Sequence, residues 1–416
     1  MKKLKQTFFA RINKVILSLP ALLILLSCSK HDSEITPARK LGHITPSTVE
    51  IGDTITIEGT GLNCSTCYIT FNNERDYKSI SASETQIVAI VPTLFNEKVS
   101  IMLWDNNSPV DSATINLVGF FPLQGVPFSE PWGMQAMDEN TFIVFYEQGL
   151  FLTEDGGYHW STLAPADFNT LGFFFLNKDT GWIVSSKMNT HEYVGKYVVY
   201  FTNNAGQSFQ ALDTISCQSL EFPDMLFFKS PNEGYVLSNF GRIYETSNNS
   251  QFENIYELPW HVDFPPPFTS LSVYNNTIMS TGPALLTGKN NVFKYGNLSG
   301  QLYNVQVVDD NEAYVIKDNK LFFSNDAGEN WKQQNDLFVH DFHFSDKING
   351  VMITSESVQS YQQIFFTHDG GVTGQFASGH SPVIEYTWCM AFSGNVGLMA
   401  LSVRNSGYRT WKYVER

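Results

Sequence analysis

Several groups of residues in this 416-residue chain have types and spacings that could do chemistry. Cys64 and Cys67 form a C-x-x-C pair in Asn63-Cys64-Ser65-Thr66-Cys67, a spacing that serves zinc, a redox dithiol or a local disulfide. Zinc needs two further ligands at suitable spacing, and a redox dithiol needs a βαβ setting. Neither accompanies the pair, so a local disulfide in an oxidising compartment is expected. Cys217 and Cys389 lie far apart and read as free, buried thiols. His340 and His343 bracket Asp341, but in a strand the two imidazoles face opposite sides. No metal and no cofactor is therefore expected. Paired carboxylates could hydrolyse a glycosidic bond, yet such a pair leaves no local motif among 41 acidic residues.

The other candidates are aromatic. Trp132 ends Ser129-Glu130-Pro131-Trp132, Tyr193 ends His191-Glu192-Tyr193, and Trp388 ends Tyr386-Thr387-Trp388. Trp260, His261 and Phe264 share a proline-rich segment, residues 258–268. Flat aromatic faces stack on sugar rings or pack on a protein partner. Trp132 and Trp388 adjoin predicted strands and serve equally well as caps on a core. Trp260 is expected to be exposed, because a proline-rich loop runs over the surface.

The elements that position these residues begin with a leader. Lys2, Lys3, Lys5, Arg11 and Lys14 precede an apolar run over residues 15–26. That run is shorter than the roughly 20 residues a membrane-spanning helix needs and has the layout of an export signal. It ends in Leu25-Leu26-Ser27-Cys28, which resembles the lipobox of bacterial lipoproteins. The resemblance implies cleavage after Ser27, so that residues 1–27 are a signal peptide, and acylation of the Cys28 thiol. One acyl chain binds a membrane only marginally, so stable anchoring takes several. Ser29 in place of aspartate favours the outer membrane, and Lys30-His31-Asp32-Ser33-Glu34 resembles the tethers of surface-exposed lipoproteins. Residues 28–42 are thus expected to be the acylated cysteine and a polar tether. Without the five basic leader residues, 21 of the 26 Lys and Arg remain against 41 Asp and Glu, a net charge of −20. Nucleic acid would be repelled by such a chain.

Residues 43–118 read as short strands with period-two alternation, as in Thr54-Ile55-Thr56-Ile57-Glu58, separated by turns. Gly52-Asp53, the Gly59-Thr60-Gly61-Leu62 turn, Ile69-Thr70-Phe71 and Ala89-Ile90-Val91-Pro92 resemble the IPT/TIG family of immunoglobulin-like domains. That resemblance implies a small β-sandwich acting as a spacer or interaction module.

Residues 119–416 carry an internal repeat. Thr153-Glu154-Asp155-Gly156-Gly157-Tyr158-His159-Trp160 has the form S/T-x-D-x-G-x-x-W, and Ser324-Asn325-Asp326-Ala327-Gly328-Glu329-Asn330-Trp331 repeats it. Asn204, Gly206 and Phe209 occupy the matching positions of a close variant, while Asp369 and Gly371 keep only the first half. Weaker copies are Asn248 with Phe252 and Asn405-Ser406-Gly407 with Trp411. In each, Asp or Asn can bond the turn's own N–H groups, Gly supplies positive φ, and the aromatic packs beneath. The copies lie 49, 44, 78, 43 and 36 residues apart, so one unmarked unit is expected near Ala284-Leu285-Leu286-Thr287-Gly288. A second signal runs in phase, at Gly181-Trp182, Gly234-Tyr235, Ala313-Tyr314 and Gly350-Val351. The last unit is one strand short, and a segment within residues 117–128 is expected to complete it. Seven units of about 42 residues suit four-stranded propeller blades.

This region resembles the Asp-box (BNR-type) propellers, particularly those of photosystem assembly factors and sortilin-like receptors. The expected fold is all-β: an immunoglobulin-like sandwich followed by a seven-bladed β-propeller. The Asp-boxes then lie on one face as scaffold, and the aromatic loops on the other. Sialidases also carry Asp-boxes, but they need a converging arginine cluster. Arg242 is placed in a third strand, and Arg404 and Arg409 beside an Asp-box-face turn. A sialidase is therefore disfavoured. The expected function is a non-catalytic, surface-exposed binding lipoprotein that captures a glycan. The alternatives are a scaffold for protein assembly and a propeller glycoside hydrolase.

Overall fold

The computed structural model describes residues 38–414 except 74–79, 95, 128, 148, 165–168, 187–194, 258–267, 283, 358–359, 378–381 and 405–409. Cys28 and most of the tether lie outside the described residues, as do Tyr193, Trp260, His261 and Phe264. Among the described residues no helix is long and apolar enough to cross a membrane.

The chain is all-β. A two-sheet sandwich comes first. One sheet pairs Lys40–Thr45, Thr54–Thr60, Gln86–Ile90 and Ser81–Ala82 in that order; the other pairs Thr48–Val49, Ser108–Leu117, Lys98–Asp105 and Cys67–Phe71. Alternation builds its core, since Ile55, Ile57, Val99, Ile101 and Leu103 are all fully buried. Cys64 and Cys67 are joined by a disulfide. Cys217 is free and buried; Cys389 is free and half-buried.

Seven four-stranded sheets follow as a seven-bladed propeller. Their first strands are Gly133–Ala136, Thr170–Phe175, Pro223–Phe228, Ser270–Tyr274, Leu302–Val307, Phe338–Phe344 and Ile384–Ser393. First strands of neighbouring blades touch one another, which puts them at the centre of the ring. Side chains tie them together. Gln135 of the first blade donates to the Phe175 carbonyl at 2.7 Å and accepts from its N–H at 2.9 Å. Gln306 of the fifth blade makes the same pair of bonds to Phe344 of the sixth.

The in-phase glycine signal has a steric cause. Gly181, Gly234 and Gly350 begin second strands and Gly397 is the second residue of its own, directly opposite Phe175, Phe228, Phe344 and Phe392. Each phenylalanine lies over its glycine so closely that a Cβ there would sit 2.2–2.4 Å from the ring. The aromatic side chain lies flat because the glycine has nothing to displace it.

The ring closes as expected from the missing strand. Gly119–Pro122 pairs antiparallel with Thr410–Val414 as the fourth strand of the seventh blade. Only Val118 separates it from the sandwich strand Ser108–Leu117, so the chain enters the propeller directly from the sandwich. Two expectations need correction. Residues 286–289 form the third strand of the fourth blade, and its turn lies just after, at Asn290-Asn291. Both asparagines have positive φ, so a two-residue hairpin replaces the longer Asp-box turn. Asn405-Ser406-Gly407 joins the second and third strands of the seventh blade, because the fourth strand comes from the N-terminal side. Residues 405–409 lie outside the described residues, and Arg404, at the end of the second strand, is on the face away from the Asp-boxes.

Candidate functional site

The two faces of the ring follow from strand direction. First strands run toward the face that carries the turns between third and fourth strands, where the Asp-boxes fall. In the fifth blade, Ser324 donates to Asp326 at 2.8 Å and accepts from the Gly328 N–H at 2.9 Å. Asp326 accepts from the Asn330 N–H, and Trp331 donates to the Gly328 carbonyl at 3.0 Å. Thr153, Asp155, Gly157 and Trp160 repeat this network, with Trp160 donating to the Gly157 carbonyl. Asn204 and Gly206 use Thr202 likewise, and Asp369 and Gly371 use Thr367. Phe209, in the position of Trp160, packs in the core between the first and second blades. Bonds from the Asn330 backbone and side chain hold Asp326 below the ordinary carboxylate range, and Thr373 does the same for Asp369. Carboxylates held this way are turn components, poorly suited to proton transfer.

The sandwich meets the propeller on this same side. Glu97 accepts from Tyr158 of the first Asp-box at 2.9 Å and pairs with Lys412 of the seventh blade at 2.7 Å. The Lys412 ammonium also sits 5.6 Å from the centre of the Tyr158 ring. Phe121 of the closing strand is part of the sandwich core, and Val414 packs against it.

The opposite face is turned away from the sandwich. Trp132 stands there at the start of the first blade, 60% exposed, its ring edge-on to Phe145. Tyr386 is 54% exposed and lies edge-on to the half-buried Trp388 at the start of the seventh blade. The Cys389 thiol lies 3.6 Å from the Pro131 carbonyl, which brings these two blade starts together. On the other side of the seventh blade, Arg404 donates to the Tyr361 hydroxyl at 2.5 Å, and Tyr361 is 48% exposed. Trp132, Tyr386, Trp388 and Tyr361 thus lie along one sector, from the sixth blade to the first.

The described propeller arginines, Arg242 and Arg404, do not converge. Arg242 lies just ahead of its third strand and is held by Glu221 at 3.1 Å and Glu257 at 2.7 Å. Glu221 is fully buried and also accepts from Ser238 and the Gln218 N–H. Sequence reasoning missed two inner-strand carboxylates. Burial pushes Asp224 of the third blade up to about 7 and Asp341 of the sixth up to about 6. Asp341 accepts from Asn304 at 2.8 Å, whereas Oδ1 of Asp224 is buried with no partner. Nothing in the local sequence marks either one, because their burial depends on neighbouring blades. His340 lies 2.7 Å from the Ser355 hydroxyl, and His343 contacts the Phe392 ring, so the two histidines do not share a site.

The fold and faces define an all-β protein with an immunoglobulin-like sandwich seated on the Asp-box side of a propeller. Residues 41–118 match the IPT/TIG domain family. No curated protein matches the sequence. Among solved structures, Ycf48 bound to a D1 peptide is similar over 71% of this chain and 96% of its own, with 17% identity and a TM-score of 0.52. Ycf48 from Cyanidioschyzon merolae covers the same 71% and 98% of its own chain, with 14% identity and a TM-score of 0.52. An auxiliary nutrient binding protein from Bacteroides ovatus is similar over 91% of this chain and 98% of its own, at 11% identity and a TM-score of 0.40.

Proposed function

We propose that this chain is an exported binding protein, anchored through Cys28 to the outer membrane, that captures a glycan on the propeller face opposite the Asp-boxes. The carrying observation is the sector of exposed aromatics, Trp132 and Tyr386 foremost, on the face turned away from the sandwich. Anchoring at Cys28 puts the sandwich between membrane and ring, so that sector points outward. Exposed rings held by edge contacts to Phe145 and Trp388 offer rigid stacking platforms at little entropic cost. Trp260, His261, Phe264 and Tyr193 complete the reading as candidates from sequence alone, since they lie outside the described residues.

Affinity electrophoresis through gels containing neutral polysaccharides tests the reading. Wild-type protein should be retarded by at least one polysaccharide, and Trp132→Ala or Trp260→Ala should lose that retardation. No retardation in any gel would overturn it. Soluble sugar released from a retained polysaccharide would instead favour a hydrolase, with Asp224 and Asp341 as the carboxylates to replace. A peptide ligand is the second reading, because a propeller of this fold, Ycf48, has been seen with a D1 peptide.

A further inference from the structure

At two boundaries between blades an aromatic ring of a second strand stacks on a phenylalanine of the next blade, and at the sixth-to-seventh boundary a valine stands in the place of that ring. At the second-to-third boundary, Trp182 lies on Phe228 with centroids 3.7 Å apart and planes within 3°, and its indole donates to Asn249. At the fifth-to-sixth boundary, Tyr314 lies on Phe344 at 3.8 Å and 2°, and its hydroxyl donates to the Lys347 carbonyl at 2.7 Å. Trp182 and Tyr314 are each the second residue of a second strand. In the sixth blade that position is Val351. The seventh-blade phenylalanine across that boundary, Phe392, packs in the same apolar cluster as Val351, with the His343 ring 6.4 Å from its own.

A cavity of about 270 Å³ occupies the place of the missing ring, lined by His343, Val351, Phe366 and Phe392, with Asn349 and His368 at its polar edge. At roughly 30 Å³ per water molecule, it holds the volume of about nine waters, enough for one sugar ring and not a chain. His343 is deeply enclosed yet still in contact with solvent, and its imidazole has no hydrogen-bond partner among the described residues. Burial pushes it down to about 4, so the ring is neutral and can both accept and donate. No Lys, Arg, Asp or Glu lines the cavity. Among the nearby carboxylates, Asp346 is engaged with Ile348 and Asn349 and Asp369 with Thr367 and Thr373, while Glu139 of the first blade reaches the rim at Gly394. An anionic ligand would therefore find no counter-charge, while a neutral polyhydroxyl ring would find an apolar wall, an imidazole with no partner among the described residues and a carboxylate acceptor at the rim.

We propose that this gap between the sixth and seventh blades, on the Asp-box face, is a second binding site that takes a single neutral sugar ring. It is separate from the aromatic sector on the other face and does not rest on that reading. NMR spectra of histidine-labelled full-length protein, titrated separately with glucose, galactose, mannose and xylose, provide the test. At least one sugar should shift the His343 and His368 ring resonances saturably. Val351→Tyr, which restores the ring found at Tyr314, should abolish the shift of His368. His343→Phe keeps the stack but removes the hydrogen bonds, and should weaken binding at least about tenfold, read at His368. His343→Phe keeps the test usable should Val351→Tyr fail to fold. Trp132→Ala should leave the titration unchanged, which separates this site from the other face. Absence of a saturable shift with all four sugars, or a folded Val351→Tyr protein that binds like wild type, would overturn the proposal.

Discussion

The two faces of the propeller are built on opposite principles. On the Asp-box side, Ser or Thr, Asp and Gly bond one another within complete turns, and the sandwich adds Glu97, which bonds Tyr158 and Lys412 of the propeller. On the other side, Trp132 and Tyr386 at the starts of inner strands and Tyr361 in a connection have large exposed surfaces. Residues that recur in sequence thus maintain the frame, and the exposed aromatics proposed to meet a ligand recur nowhere. A repeat marks what every blade needs, and a proposed binding sector is needed only once.

The largest expected effect comes from the place where frame and sandwich merge. Phe121 is 1% exposed and shares the sandwich core while its strand closes the ring. Phe121→Ala should lower stability by about 3–5 kcal/mol. Calorimetry should show the two parts unfolding in one transition in the wild type and in two in the variant. A single transition in both would mean that Phe121 does not couple them.

Next is Asp224, whose raised folded value makes stability pH-dependent. Its stabilising protonated form is fully present below the unfolded value of 3.8, and the advantage is lost as pH rises through about 7. The wild type should therefore lose on the order of 2–4 kcal/mol between pH 4 and pH 8 through this residue. Asp224→Asn should flatten that decline in chemical denaturation, and an unchanged slope would contradict the burial of its carboxyl.

Smaller effects distinguish complete from eroded turns. Asp326→Ala removes acceptors for Ser324 and Asn330 and should cost about 1–2 kcal/mol at neutral pH. Because Asp326 is held below the ordinary range, that difference should shrink as pH falls through its folded value. Asn248, in a turn lacking the glycine, is bonded by Ser250 and Gln251 at 3.0 and 3.2 Å. Asn248→Ala should cost less than Asp326→Ala, and equal costs would mean the glycine bond adds nothing.

Much of the architecture could be read from residue spacing. Ile55 and Ile57 announced a half-buried strand, and the Asp-box separations counted the blades. The fourth blade was blurred because Asn290-Asn291 makes its turn with different chemistry. The copy at residues 405–407 misled for a topological reason: the partner strand of Thr410–Val414 lies nearly 300 residues earlier, so local spacing could not show which turn it was. Trp132 and Trp388 were visible as aromatics, although their exposure depends on how the first and seventh blades meet. The cavity at Val351 was hidden in plain view. That position alternates between aromatic residues, Trp182, Tyr235 and Tyr314, and aliphatic ones, Ile143, Ile278 and Val351, and what Val351 leaves open lies across a blade boundary at Phe392.

The smallest stability effect is the most informative about the two faces. Trp132 is 60% exposed and contacts Phe145 edge-on, so Trp132→Ala removes little buried area and no bond within a turn. It should change stability by less than about 1 kcal/mol. A residue of the frame could not be removed so cheaply, as Trp331 shows by contrast: its indole bonds Gly328 and its ring packs between the fourth and fifth blades. Trp331→Ala should destabilise by several-fold more than Trp132→Ala in the same denaturation assay. If the two tryptophans cost the same, the division between a structural face and a binding face fails, because Trp132 would then be holding the first blade in place.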